Sequence, residues 1–124
     1  MKTIIVPTDF SPASLNAANF ATDMAMAINA NILLFNVYNI PVSYTDVPVV
    51  MVSVEEMKKG SEAQLKGLKN KIDHITSGKI KIYTESILGN TVDELENLCK
   101  KIQPFAVVMG AKGKTGIEKL VFGS

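Results

Sequence analysis

Residues 105–113 read FAVVMGAKG, an apolar and β-branched run that leads into two glycines. The run from Phe105 to Met109 predicts a buried strand. Glycine tolerates φ > 0 and lets a ligand approach the backbone with no side chain in the way. Backbone N–H groups presented just past a buried strand are a common arrangement for binding phosphate in α/β sheets. These residues therefore predict an α/β sheet with an anion site at the end of its last strand.

Upstream of this run, apolar segments with two different periodicities alternate along the chain. Continuous apolar runs or strict alternation predict strands, and apolar residues spaced by three or four predict helices. The strands are expected at residues 3–6, 32–37, 79–87 and 105–109. The helices are expected from the Ser11 cap and Pro12 to about Asn29, from a cap at Ser53 to Gly78, and from a cap at Thr91 to Ile102. The alternating pattern of residues 79–87 indicates a half-exposed strand at a sheet edge.

Alternation of strand and helix implies a parallel sheet with right-handed crossovers. Ligands of such sheets bind at the carboxyl ends of the strands, near the point where the strand order reverses. Three segments are expected to reach that edge centrally, namely 7–9, 37–38 and Gly110 onward. The chemistry of the protein is expected there.

The amino-acid composition limits which partners, phosphate-binding groups and cellular compartment are expected. The 124 residues suit one domain, with a net charge of +1 that gives no reason to expect nucleic acid or a membrane as the partner. All 13 basic residues are lysines, so phosphate must be held by backbone amides, hydroxyls or lysine charges. Cys99 is the single cysteine, which excludes an internal disulfide and favours a cytoplasmic location. No signal peptide or membrane span is evident.

Two common phosphate-binding motifs do not fit the glycine-rich tail. Gly113-Lys114-Thr115 matches the second half of a Walker A loop, but Val108 stands where its first glycine is required. The glycines at 110, 113 and 116 also have the wrong spacing for a dinucleotide-binding fingerprint, and they follow the last strand instead of the first.

The tail and the amino terminus together resemble the universal stress protein family. Residues 110–124 read Gly-x2-Gly-x9-Gly-Ser, and residues 4–11 read IIVPTDFS. The resemblance covers the whole chain and is to the ATP-binding subgroup. It implies an α/β, flavodoxin-like or Rossmann-like open parallel sheet with helices on both faces and strand order 3-2-1-4. It also implies a stress-response protein that binds ATP, with Mg²⁺ as an optional ion held through the phosphates.

The resemblance assigns nine residues to the nucleotide. Pro7, Thr8 and Asp9 would border the adenosine. Val37 would contact the adenine, and Met109 would lie against the same pocket. Gly110 and Gly113 would approach the ribose and triphosphate, and Gly123 and Ser124 would hold phosphates at the start of the next helix. The residues alone leave other interpretations open. The glycines could simply serve turns, and Asp9 could interact only with a helix dipole.

The sequence also departs from the family. In the family a fourth helix follows the Gly-Ser pair, and a fifth strand then completes the sheet and commonly pairs two protomers. Neither follows Ser124 here, so we expect residues 1–124 to be a single, C-terminally incomplete domain, with a second tandem domain plausible in the parent protein. We also expect the strand at 105–109 to have an open apolar edge that promotes a homo-oligomer such as a dimer.

Three functions remain open at this point. The leading one is a domain that binds ATP as a regulatory ligand. The second is an interaction module of the same fold that has lost nucleotide binding and acts through dimerisation. The third is an enzyme that adenylates a substrate, which would need a catalytic pocket and motifs that the sequence does not show. For the ATP-binding domain, the sequence shows no general base, nucleophile or metal cluster arranged for turnover, so slow ATP hydrolysis is the most that we expect. His74 is expected at the surface and Cys99 in the core.

Overall fold

The computed structural model describes residues 2–39, 54–110 and 120–123. Its elements are β1 (Thr3–Pro7), α1 (Pro12–Ile28), β2 (Asn31–Tyr38), α2 (Val54–Thr76), β3 (Ile82–Leu88), α3 (Thr91–Ile102), β4 (Ala106–Met109) and β5 (Leu120–Gly123). The four strands and three helices expected from the periodicity are all present, and their ends fall within a few residues of the predicted ones.

The first four strands form an all-parallel sheet in the order β3-β2-β1-β4. This confirms the α/β class, the parallel pairing and the 3-2-1-4 order. It also confirms that β3, with its alternating sequence, lies at an edge. The chain runs outward from β1 to β2 to β3 and then returns to β4 on the other side of β1, so the strand order reverses between β1 and β4.

The prediction of an open edge at β4 is wrong. Residues 120–123 form β5, which pairs antiparallel with β4, from Met109 opposite Leu120 to Ala106 opposite Gly123. An uncovered edge leaves backbone N–H and C=O groups without partners, and a Leu-Val-Phe sequence has the β propensity to supply them. Gly123 is therefore a strand residue and does not begin a helix. The self-association predicted from an open β4 edge loses that reason and stays untested.

The sheet has a hydrophobic core on each face. One core contains the inward side chains of α1 and α2 packed on alternate residues of the sheet, among them Ile4, Val6, Leu34 and Val108. The other contains Leu98 of α3 packed on Ile5, Leu33, Phe35 and Val107. Because successive strand residues point to opposite faces, each of the central strands contributes to both cores. Helices therefore cover both faces, as predicted.

Short polar signals fix the ends of the helices. The Ser11 side chain accepts a hydrogen bond from the Ser14 amide at 3.2 Å, and Pro12 occupies the first helical position, so α1 begins as predicted. Asn29 ends α1 in the left-handed region at φ 58°. Gly78, at φ 71°, follows α2 and confirms the predicted break. The Ser53 cap predicted for α2 lies outside the described residues.

The N-cap of α3 is Asn90 and not the predicted Thr91. The Asn90 side chain accepts a hydrogen bond from the Asp93 amide at 3.1 Å, and Thr91 is the first residue inside the helix. Replacing Asn90 with alanine is expected to lower the free energy of unfolding by about 1 kcal/mol, because an N-terminal amide loses its acceptor. Thr91→Ala is the control and is expected to change it by less than about 0.5 kcal/mol. Urea denaturation measures both, and equal losses would contradict the assignment.

Candidate functional site

An open cavity of about 340 Å³ lies at the carboxyl ends of β1, β2 and β4. This is where the strand order reverses, which is the usual ligand position in an open parallel sheet. The cavity is lined by Pro7, Thr8, Asp9, Ser11, Ser14, Phe35, Val37, Thr91, Met109 and Gly110. The site expected from the sequence therefore coincides with a real concavity of the described chain.

Six of the nine predicted site residues line this cavity, namely Pro7, Thr8, Asp9, Val37, Met109 and Gly110. They come from three segments that are far apart in sequence. Gly113 and Ser124 lie outside the described residues. Gly123 is opposite Ala106 at the amino end of β4, and the three-residue step to Met109 corresponds to about 10 Å of extended chain. The structure thus brings six of the nine together, places Gly123 elsewhere, and leaves the ligand contacts of all nine as predictions.

Four lining residues were not predicted as site residues: Ser11, Ser14, Phe35 and Thr91. The sequence does carry a signal for Ser11 and Thr91, since both were recognised at helix starts, and these helices begin at the edge where the strands end. Phe35 lies beside Pro7 in the parallel register, which a sequence alone does not give. Ser14 is one helical turn beyond the cap, on the side of α1 that faces the cavity.

The segment between β1 and α1 is held by a compact set of hydrogen bonds. The Thr8 and Ser14 hydroxyl oxygens are 2.9 Å apart, and the Phe10 amide donates to the Thr8 hydroxyl at 3.0 Å. The Ser11 amide donates to the Asp9 carboxylate at 3.0 Å. Phe10 adopts φ 64°, a left-handed conformation that is uncommon for a bulky residue. The turn leaves Asp9 exposed at the rim of the cavity, with its carboxylate oriented by the backbone.

Gly110 lies against the first turn of α1. A Cβ built on Gly110 would be 2.6 Å from both the carbonyl carbon and the oxygen of Ala13 and 2.9 Å from the Ser14 nitrogen. These are backbone atoms, so they cannot rotate away as a side chain could. Only glycine fits, and its absence of a side chain lets the end of β4 and the start of α1 meet at the cavity wall.

Two helix amino termini contribute to the electrostatics of the cavity. Ser11 and Ser14 belong to the start of α1, and Thr91 is the first residue of α3. Helix amino termini carry a partial positive charge and unpaired N–H donors. The first turn of α1 contains no acidic residue, whereas Asp93 and Glu94 offset the dipole of α3. The Asp9 carboxylate accepts from the Ser11 amide at the start of α1, so acidic groups lie close to both helix amino termini.

A model of the universal stress protein family matches residues 1–124 of this sequence. The chain belongs to the universal stress protein family. It is 32% identical over 128 residues to universal stress protein MJ0531 of Methanocaldococcus jannaschii, covering 99% of this chain and 72% of that protein. The family resemblance predicted from the two terminal motifs is confirmed.

Solved structures of universal stress proteins share the fold. One is a universal stress protein in complex with cAMP, which is 27% identical, has a TM-score of 0.69, and is matched over 94% of this chain and 80% of its own. Another is UspA of Lactobacillus plantarum, which is 22% identical with a TM-score of 0.72 over 94% of this chain and 81% of its own. The second comparison shows the fold alone, and the first adds a family member whose ligand is an adenine nucleotide.

The single cysteine and the single histidine of the chain are not among the described residues that line the cavity. Cys99 packs partly buried against the core between α3 and the sheet, and desolvation raises the pKa of its thiol above the ordinary value. A raised pKa disfavours the thiolate, which is the reactive form of a cysteine. His74 is exposed in the last turn of α2.

The described parts of the chain contain neither a candidate metal site nor a helix suited to span a membrane. Within residues 2–39 and 54–110, no group of three His, Cys, Asp or Glu side chains is placed to hold a metal ion. No helix in the same ranges combines the length and apolar character needed to cross a bilayer.

Proposed function

We propose that this chain binds an adenine nucleotide, ATP, in the cavity at the carboxyl edge of its sheet, as a regulatory ligand in a cytoplasmic stress response. The observation that supports the proposal most strongly is that residues distant in sequence meet in one cavity. Six residues that the family resemblance assigns to the nucleotide come from β1, β2 and β4 and line one cavity. The complex of a 27% identical universal stress protein with cAMP supports an adenine nucleotide as the ligand class.

The cavity provides different surfaces for the parts of a nucleotide. Phe35, Val37 and Met109 supply an apolar wall suited to a planar base. Asp9 is exposed at the rim, where its carboxylate can accept hydrogen bonds from ribose hydroxyls. The start of α1 offers its dipole and the Ser11 hydroxyl to phosphate. The Ser14 hydroxyl is buried and donates to the Ser11 carbonyl at 3.0 Å, so it shapes the cavity wall. A volume of about 340 Å³ is within the range of small-molecule sites.

The lining residues support binding more than catalysis. Among the ten lining residues that the structure describes, Asp9 alone has an ionisable carboxylate, amine or imidazole, and its carboxylate accepts a hydrogen bond from the Ser11 amide. Efficient hydrolysis requires a positioned base or metal together with groups that stabilise the transition state. We therefore propose regulation by occupancy, with turnover that is slow at most.

Calorimetric titration of this chain with ATP, cAMP and GTP, with and without Mg²⁺, tests the proposal. We expect ATP to bind with a Kd of roughly 1–100 μM, which corresponds to about −8 to −5.5 kcal/mol, and GTP to bind at least about tenfold more weakly. Equal affinity for GTP would indicate an anion site without base selectivity and would contradict the proposal.

Two further outcomes separate the alternatives. Absence of binding by any nucleotide, in a sample that sedimentation shows to be a dimer, would favour the interaction module. Release of pyrophosphate from ATP with an added acceptor would favour an adenylating enzyme. Sedimentation of the same sample also tests the predicted self-association directly.

A further inference from the structure

A chain of polar side chains runs from the cavity edge into the face of the sheet covered by α1 and α2. The Asn36 side-chain amide donates to the Thr8 carbonyl at 2.8 Å. The Asn36 side-chain oxygen accepts from the Ser61 hydroxyl at 2.6 Å, and Ser61 in turn accepts from the Ser86 hydroxyl at 2.7 Å. The hydrogen bonds thus connect the end of β1 with β2, α2 and β3.

Asn36 is an unusual residue for its position. It is 8% exposed and lies on the same face of β2 as Ile32 and Leu34, which belong to the hydrophobic core. Burying an amide is unfavourable unless its hydrogen bonds are replaced, and those to Thr8 and Ser61 replace them here. An apolar residue at this position would leave the Thr8 carbonyl without the Asn36 donor, so the amide is explained by the atom that it holds.

That atom belongs to the cavity segment. The Thr8 amide donates to the Phe35 carbonyl at 2.8 Å, which extends the pairing of β1 with β2 by one residue. The Thr8 carbonyl accepts from the Asn36 side-chain amide, at the point where the chain turns toward Asp9. The Thr8 hydroxyl accepts from Phe10 on the far side of that turn. Asn36 therefore fixes the peptide that carries Thr8 into the rim of the cavity.

We infer that Asn36 is a positioning residue for the cavity, holding the Thr8 carbonyl so that Thr8 and Asp9 face the ligand, and that Ser61 sets the orientation of the Asn36 amide. The inference rests on the proposed function for its ligand. The two ends of an amide have almost the same shape, and a hydroxyl that donates to the oxygen leaves the NH₂ end to face Thr8. Ser86 orients Ser61 in the same way at the edge strand.

The isosteric variant Asn36→Asp tests the inference, because a carboxylate cannot donate to the Thr8 carbonyl and places two acceptors face to face. We expect Asn36→Asp to weaken adenosine binding about tenfold, since Thr8 and Asp9 are proposed to border the adenosine. We expect ATP binding to weaken by at least the same factor, because the new carboxylate also adds negative charge near an anionic ligand. Ser61→Ala leaves the amide in place without its orienting donor, and we expect a loss of about two- to threefold.

Thr76→Val is the matched control. The Thr76 hydroxyl is also buried and hydrogen-bonded, to the Ile72 carbonyl at 2.9 Å, but it is at the end of α2 remote from the cavity. We expect Thr76→Val to bind ATP and adenosine with the same affinities as the unmodified chain. Affinities of Asn36→Asp equal to those of Thr76→Val would overturn the inference, as would a loss for ATP with no loss for adenosine, which charge repulsion alone would explain.

Two measurements keep the inference testable if the first experiment fails. Should Asn36→Asp not fold, Ser61→Ala decides, and unchanged affinities in that variant would overturn the inference. Should the unmodified chain bind neither ligand, the proposed function fails, and hydrogen exchange of the Phe10 and Ser11 amides decides. Faster exchange in Asn36→Asp than in Thr76→Val would support positioning of the turn, and equal exchange would overturn it.

Discussion

The Gly110→Ala variant is expected to lose about 2–3 kcal/mol of unfolding free energy, because the added methyl group overfills a closed contact. The Cβ would be 2.6 Å from the Ala13 carbonyl carbon and oxygen and 2.9 Å from the Ser14 nitrogen. The clash between the new Cβ and the α1 backbone can be removed only if α1 or the end of β4 shifts, and both carry residues that line the cavity. Nucleotide binding is therefore expected to weaken along with stability.

Two other glycines provide matched controls for the same substitution. Gly60 and Gly67 are in α2, and a Cβ at either position meets nothing within 4 Å. Gly60→Ala and Gly67→Ala are each expected to raise the unfolding free energy by about 0.5–1 kcal/mol, because alanine is the better helix former. Urea denaturation followed by far-UV circular dichroism measures all three variants. If Gly110→Ala is as stable as the parent, the close approach of β4 to α1 is wrong.

Gly110 illustrates where a sequence interpretation reaches its limit. The sequence indicated that glycine just past the last parallel strand lets a ligand approach the backbone, and the resemblance named that ligand as a nucleotide. The structure gives a sufficient reason for this glycine within the protein, because the backbone of α1 fills the Cβ position. That contact joins residues almost a hundred positions apart, and no local pattern reports it.

The elements themselves were predictable because each is specified locally. Apolar periodicity located β1 to β4, and Ser11 followed by Pro12 located the start of α1. Asn90 and Thr91 are both good cap residues, so the sequence could not choose between them, and the hydrogen bond from Asp93 decides for Asn90. β5 was not predicted, because Gly123 was assigned with Ser124 to the start of a helix. The need of the β4 edge for a pairing strand was not taken into account.

The candidate site was predictable where it depends on topology and not where it depends on register. Residues at or just past the strand ends, such as Met109 and Thr8, had to meet at the carboxyl edge once the sheet was parallel. Phe35 enters the cavity wall because it is the register partner of Pro7. In the sequence, Asn36 is simply one polar residue within an apolar strand. Its hydrogen bonds to Thr8 and Ser61, which explain it, depend on the tertiary structure.

The Val37→Asp variant is expected to weaken ATP binding by at least about 50-fold, or roughly 2.4 kcal/mol. Val37 lines the cavity at the end of β2 and is half-buried against the core that contains Phe35 and Leu98. A carboxylate there replaces apolar contact with a base by a group that must keep its water, and it adds negative charge beside an anionic ligand. Calorimetric titration with ATP and adenosine measures the effect.

Ile75→Asp is the control because it introduces the same charge at a residue that is 60% exposed near the end of α2, the end remote from the cavity. We expect it to bind both ligands as the parent does. Adenosine lacks phosphates, so the part of the Val37→Asp effect that persists for adenosine reports the lost base contact, and the additional loss for ATP reports repulsion. If Val37→Asp binds both ligands as tightly as Ile75→Asp does, the base does not lie against the Phe35, Val37 and Met109 wall, and the proposed orientation of the nucleotide is wrong.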